Sequence, residues 1–284
     1  MPSMKVIKRR IVSVTSTQQI MKAMNLVAAS KLQKAKERLN EVRPLFNEAK
    51  RVMDGVKSSI DTADNIFVTR RPVKSIAYIV VTSDRGLCGG YNLDVSKEAL
   101  AFINAHKDSA AHIISVGAKG LDFFLRRRKP VAHRFADRSD ATAYRDAEAL
   151  VKLITSMYVS GEADEVYVIY THFASMLSHV PHIVRLLPVG SSANTVDTGK
   201  EMLYEPEIDT FLEHAIPMYL KVFLYGAMAE ATVCEQAARM MSMDAAANNA
   251  EEIIDDLTLV YNRERQAIIT QELNEIVGGA NALS

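Results

Sequence analysis

The stretch SDRGLCGGYN, residues 83–92, is where residue types and spacing in this chain first invite chemistry. It follows an apolar run that reads as a buried strand and precedes a helical stretch, and bare backbone amides at a helix start bind anions. The spacing refuses a phosphate loop. It is neither GxGxxG nor GxxxxGK followed by Ser or Thr, and no downstream acid or Lys stands where those motifs need one. Gly86, Gly89 and Gly90 then serve a tight turn at the carboxyl end of a strand. Cys88 has no His or acid beside it in sequence, so it reads as a small core hydrophobe, not a nucleophile. His172, His179 and His182 lie close together, but their spacing matches no zinc or facial-triad pattern, and they fall across a strand end and a loop containing Pro181. No metal site is expected. Residues 126–129, RRRK, read as a solvated helix end, and they lack the interleaved aromatics of a nucleic-acid surface.

The elements that would hold these residues are short β-branched runs alternating with helical stretches. Strands are expected over 75–82, 112–116, 131–135, 165–172 and 182–188, and helices over 93–105, 119–127 and 141–160. That alternation implies a small Rossmann-like α/β domain with a mostly parallel sheet covered on both faces, its last two strands joined more directly.

The two arms read differently. Steps of three and four from Met4 meet Ile7, Ile11, Val14, Gln18, Met21, Asn25, Ala28, Leu32, Ala35, Leu39, Val42, Phe46, Ala49, Met53, Val56 and Ile60. A repeat averaging 3.5 residues, held this long and interrupted only by Gln18 and Asn25, is the seam of a left-handed coiled coil. Pro44 is expected to kink this helix without ending it. The carboxyl-terminal arm repeats the spacing at Leu220, Leu224, Ala227, Ala231, Cys234, Ala238, Met241 and Ala245, then at Ala250, Ile254, Leu257 and Tyr261. Residues 1–51 carry 12 Lys and Arg against 3 acids, whereas residues 201–284 carry 15 acids against 4 bases, so the arms complement each other. A solitary heptad stripe is unstable in water, and the economical pairing is one antiparallel coiled coil of both ends. The expected divisions are 1–62 and 205–284 for the paired helices and 73–190 for the α/β domain.

Three segments carry a resemblance to a known family. IKRRIVSVTSTQQIMKAMNLVAASKL near the start, SDRGLCGGYN in the middle, and CEQAARMM with VYNRERQAIITQELNEIVGGANAL at the end resemble γ subunits of F-type ATP synthases of bacterial type. The resemblance spans both arms and the middle domain. It implies a non-catalytic central-stalk rotor with no cofactor, one copy per complex. Its implied partners are the α and β subunits of an α3β3 ring, the ε subunit and the c-ring, through which it sits peripherally on the cytoplasmic face of the cell membrane. It also implies that ion-driven rotation of the shaft changes the conformation of each β subunit in turn. By motif match, Lys22, Met24 and Arg239 lie near an acidic loop of β, and Gln266, Thr270, Glu272 and Glu275 form polar, exchangeable contacts with the ring. Tyr204 and Glu205 lie at the foot facing the c-ring, and the small apolar tip over 278–283 suits a bearing. Met21 stands where the family usually has Thr, and Asp244 where a basic residue is common.

Composition bounds the alternatives. The charges balance at 34 basic and 34 acidic residues, so no global field draws the chain to nucleic acid or an anionic membrane. A basic coiled-coil nucleic-acid binder would also have its affinity suppressed by the acidic partner arm. Two Cys cannot make a disulfide framework and suit a reducing compartment. The longest apolar run, 76–81, is far short of the roughly 18 residues a membrane span needs, and no secretory signal is read at the amino terminus. The reading from another class is a free-standing α/β enzyme binding a nucleotide or phosphate, with the coiled coil as an oligomerisation arm.

Overall fold

A computed structural model of the chain describes residues 4–60, 65–136, 143–175, 179–189 and 208–283. Its elements are α1 (Met4–Ile60), β1 (Ser75–Val81), α2 (Tyr91–Ala105), β2 (Ala110–Val116), α3 (Ala118–Arg126), β3 (Val131–Phe135), α4 (Ala143–Val159), β4 (Glu165–Phe173), β5 (His179–Leu187) and α5 (Ile208–Leu283). They form two compact units, Met1–Ala29 with Arg239–Ser284, and Ser30–Ala238. Tyr204 and Glu205, assigned to the foot, lie outside the described residues.

In the larger unit the strands run in the order β3-β2-β1-β4-β5. The first four are parallel, and β5 returns antiparallel to β4. This is the mostly parallel sheet that the alternating pattern implied. Residues of β1 are apolar on both faces because both faces are covered. Tyr78, Ile76 and Val80 pack with Val95, Ala99 and Ile103 of α2 and Phe124 of α3. Ala77, Ile79 and Val81 face the opposite layer, which holds Leu150, Ile154 and Met157 of α4, Met53 of α1, and Leu212, Ile216, Leu220 and Leu224 of α5. The widest departure is β5, which starts at His179, where 182 was expected. Pro181 sits opposite Thr171 inside β5, not in a loop. An edge strand tolerates Pro because its outward N–H has no ladder partner to lose.

Both long helices form. Pro44 lies inside α1 and Pro217 inside α5, and neither ends its helix. Every seam position of α1 from Met4 to Met53 is buried or half-buried, with Ala28 at 1% exposure and Leu32 at 4%. The α5 stripe needs one correction. It holds through the half-buried Ala238, but Met241 and Ala245 are exposed and Met243 and Ala247 are buried instead; the resumed stripe of Ala250, Ile254, Leu257 and Tyr261 is buried or half-buried throughout. Alanine sits on every face of this stretch, so its spacing carries no contrast from which a seam can be read.

At the amino-terminal end of the sheet, Asp164 closes the domain. Its carboxylate accepts hydrogen bonds from the backbone N–H groups of Lys74 at 2.8 Å and Ser75 at 3.0 Å, and it meets Arg71 Nε at 2.8 Å. Arg71 also donates to the carbonyls of Tyr158 and Ala163 and lies over the Tyr158 ring at 4.5 Å. Burial pushes the Asp164 carboxyl up, but the two backbone donors and the guanidinium outweigh it and hold the group below its ordinary value. A depressed folded value means that this stabilisation is complete above the unfolded carboxylate range, about pH 4, and is lost as pH falls through the folded value. Asp164→Asn should cost about 1–3 kcal/mol at pH 7 and flatten the acid limb of stability. Urea titrations at pH 7 and at pH 3 check this; an acid limb as steep in the variant as in the parent would refute it.

Candidate functional site

The glycine turn brings amides to the carboxyl ends of the strands, where a doubly wound sheet usually takes its ligand. Several amides at and beside the turn are already used. Ser83 N–H donates to Asn92 Oδ1 at 2.9 Å, Ala118 N–H to Asp84 Oδ1 at 2.9 Å, Lys119 N–H to the Ser83 carbonyl at 3.0 Å, and Gly120 N–H to Thr82 Oγ1 at 2.9 Å. Gly89 alone of the three motif glycines adopts positive φ, at 55°. Cys88 is buried beside Tyr91 and Cys234, and its sulfur accepts from Asn92 Nδ2 at 3.1 Å. It is the core residue that the sequence suggested.

Helix α5 is bonded to both sides of the crevice between β1 and β4. Tyr91 Oη donates to the Ala231 carbonyl at 3.0 Å, and Cys234 Sγ to the Thr171 carbonyl at 3.6 Å. Burial, with the nearby Glu230 charge adding to it, pushes the Cys234 thiol up to about 12, so it stays protonated and able to donate. His172 Nδ1 lies 2.8 Å from Glu230 Oε2, and the His172 and His182 rings are 5.2 Å apart. His179 stands opposite Phe173 on β4; burial pushes its imidazole down toward the neutral form. Arg126, Arg127 and Arg128 are exposed, with Arg127 over the Phe123 ring at 3.6 Å, as a solvated helix end should be.

In the smaller unit, α1 and the carboxyl-terminal part of α5 run antiparallel. Asn25 Nδ2 donates to the Met240 carbonyl at 2.9 Å, and Gln18 Nε2 to the Ala247 carbonyl at 3.4 Å and Glu251 Oε2 at 3.1 Å. The two polar residues that interrupted the seam are therefore cross-helix clamps on backbone carbonyls, and such groups fix helix register. Lys22, exposed, reaches Glu251 at 3.4 Å, and Met24 is half-buried. Arg239 adjoins Met240, opposite Asn25, so the fold brings Lys22, Met24 and Arg239 to one level of the helix pair. Arg239 is only 9% exposed, so most of its side chain is covered.

Gln266, Thr270, Glu272 and Glu275 form a second group, separated from Met240 by about 40 Å at 1.5 Å per residue along α5. Thr270 Oγ1 bonds back to the Gln266 carbonyl at 2.9 Å, and Gln271 Nε2 donates to Glu275 Oε1 at 2.9 Å. Tyr261 and Asn262 are half-buried, but from Arg265 to Gly278 every position is exposed. That stretch includes Ile269 at 47%, Leu273 at 56% and Ile276 at 67%. A helix bare on all sides with apolar residues among its polar ones is built to be surrounded.

Known proteins share this arrangement. Residues 3–283 match the family described as ATP synthase. The chain is 41% identical to the ATP synthase gamma chain of Alkaliphilus metalliredigens, over 98% of this chain and 97% of that one. It is 39% identical to the ATP synthase gamma chain of Desulforamulus reducens over the full length of both. Among solved structures it is similar to a chain in the central stalk and c-ring of Tetrahymena thermophila mitochondrial ATP synthase, with a TM-score of 0.65 and 25% identity over 80% of this chain and 99% of that one. With that match running across nearly every residue, through both long helices and the sheet between them, the chain belongs to the family of ATP synthase gamma chains.

Proposed function

We propose that this chain is the rotating central shaft of an F-type ATP synthase and carries no catalytic site of its own. The observation that carries this reading is the carboxyl-terminal stretch of α5, exposed at every position from Arg265 to Gly278. Such a stretch finds its partner in a ring that encloses it. Gln266, Thr270, Glu272 and Glu275 offer that ring polar contacts, which exchange cheaply as the shaft turns, whereas deep apolar knobs would hold it in one position. Paired helices supply the stiffness in torsion that a single helix lacks. Helix α5 is bonded to both sides of the crevice beside the glycine turn, which weighs against a nucleotide-binding enzyme. No helix among the described residues is long and apolar enough to cross a membrane, consistent with attachment through other subunits.

In this reading the helices of 1–62 and 205–284 form the shaft inside α3β3, and the domain of 73–190, with Tyr204 and Glu205, faces ε and the c-ring at the cytoplasmic face of the membrane. Lys22 and Met24 face the acidic loop of β. Arg239, buried behind them, holds the local helix geometry and adds positive potential. Omitting the chain from a reconstituted complex is the decisive test: an α and β assembly that rotates and couples fully without it ends the proposal.

Met24→Lys adds a cation beside Lys22 at this level. A new exposed ion pair is worth about 0.2–1 kcal/mol, enough to lengthen one dwell by up to about fivefold. ATP-driven ion pumping per ATP hydrolysed should therefore fall, and an unchanged ratio in membrane vesicles would remove Met24 from the coupling surface.

A further inference from the structure

We infer that one turn of α5, from Glu230 to Cys234, is the joint through which twisting force passes between the shaft helix and the α/β sheet of the larger unit. Tyr91 and the His172–Glu230 pair are the pins that fix the helix's angular phase. The inference rests on the rotor reading above and names the residues through which that rotor holds its shape.

Elsewhere along this face α5 meets the sheet through apolar side chains such as Leu212, Ile216, Leu220 and Leu224. These contacts press the helix to the sheet but have no preferred direction. At 230–234 the contacts change character. Tyr91, 4% exposed, is the first residue of α2, and its hydroxyl bonds the backbone carbonyl of Ala231 at 3.0 Å. A bond to the backbone cannot be bypassed by a side-chain rotamer change on α5, so it acts on the helix itself. One residue earlier, His172 at the end of β4 holds Glu230 at 2.8 Å. A carboxylate only accepts, so the imidazole proton is on Nδ1. Three residues beyond Ala231, Cys234 bonds the Thr171 carbonyl.

The pins come from both walls of the β1/β4 crevice, α2 on one side and the end of β4 on the other. Rotation of α5 about its axis in either direction therefore stretches one of them. The Tyr91 bond is dry, and such bonds are directional and costly to leave unmade, whereas His172 is 41% exposed and its pair with Glu230 is held partly in water. The place where this kind of sheet usually seats a ligand is here the socket of the shaft.

The test uses the assembled complex, immobilised by its ring and stalled without nucleotide. A bead is fixed to α2 through Lys97→Cys, an exposed position, and both native thiols are buried and escape labelling. Tyr91→Phe combined with Glu230→Ala should raise the angular variance of the bead about twofold and lower pumping per ATP, with hydrolysis unchanged. Tyr91→Phe alone, which removes one oxygen and keeps the ring packing, should give an intermediate rise. Glu230→Gln, which still accepts from His172, should restore the parent variance. Equal variance in the parent and in Tyr91→Phe, or a rise in Glu230→Gln equal to that in Glu230→Ala, overturns the joint alone. If the parent complex does not rotate on ATP, the rotor reading fails and takes the joint with it.

Discussion

Leu32→Asp should prevent α1 from pairing with α5 and so block assembly of the complex. Leu32 is 4% exposed on the α1 seam, and an unpaired carboxylate there costs about 3–5 kcal/mol before the lost apolar burial is counted. Against a total stability of about 5–15 kcal/mol, that is enough to leave much of the chain unpaired. Leu39→Asp, at 6% exposure, should behave alike. Leu26→Asp supplies the contrast, because Leu26 lies off the seam at 71% exposure and its replacement should shift stability by less than about 0.5 kcal/mol. Circular-dichroism melting and co-purification with α and β would read both. A Leu32→Asp protein that melts with the parent and assembles normally would show that the seam does not hold the helices.

Gly117→Ala should be nearly as damaging although it adds one methyl group. Gly117 has φ of 98°, and a Cβ built there would stand 2.3 Å from the Thr82 carbonyl oxygen, a backbone atom that cannot step aside. Thr82 N–H is itself bonded to the Val116 carbonyl at 2.7 Å, and Gly117 N–H to the Phe135 carbonyl at 2.7 Å, so relief of the clash opens the sheet between β1, β2 and β3. The left-handed backbone alone costs about 1–3 kcal/mol for a side-chain-bearing residue, and the clash should take the total to about 4 kcal/mol or more. Gly161→Ala separates the two contributions: its φ is 78°, but nothing lies within 4 Å of the added carbon, so only the backbone cost of about 1 kcal/mol should appear. Chemical denaturation of both variants would decide it, and equal losses would mean that crowding at Thr82 is irrelevant.

Those two sites mark the line between the legible and the hidden. The seam through Leu32 could be read from residues three and four apart, because a helix turns the same angle at each step whatever it packs against. The strands were readable for the same local reason, since β-branched runs covered on both faces announce themselves. The residues at Lys22, Met24 and 266–275 came from motif resemblance, and the separation of the two groups along the long helices follows from simple rise per residue. Gly117 was not singled out, while the conspicuous Gly86 of SDRGLCGGYN meets only the end of Lys119 at 3.9 Å. Its burden comes from Thr82, 35 residues away in sequence but in contact across a parallel pair.

The same distance hid the rest. Gln18 and Asn25 stood out as exceptions in an apolar row, but their partners, Ala247 and Met240, lie more than 200 positions along the chain and are backbone carbonyls that every residue type possesses. The register of α5 between Ala238 and Ala250 was misread because alanine on every face marks none of them as inward. The contacts of Tyr91 and Glu230 and the burial of Arg239 likewise left no mark in local spacing. Periodicity and charge, which depend on near neighbours, settled that this chain makes two complementary long helices and a mostly parallel sheet. Which backbone carbonyl each polar side chain would meet, and which glycine could not be spared, waited for distant segments to be folded against one another, because contact between them is a property of the packed molecule and leaves no trace in spacing.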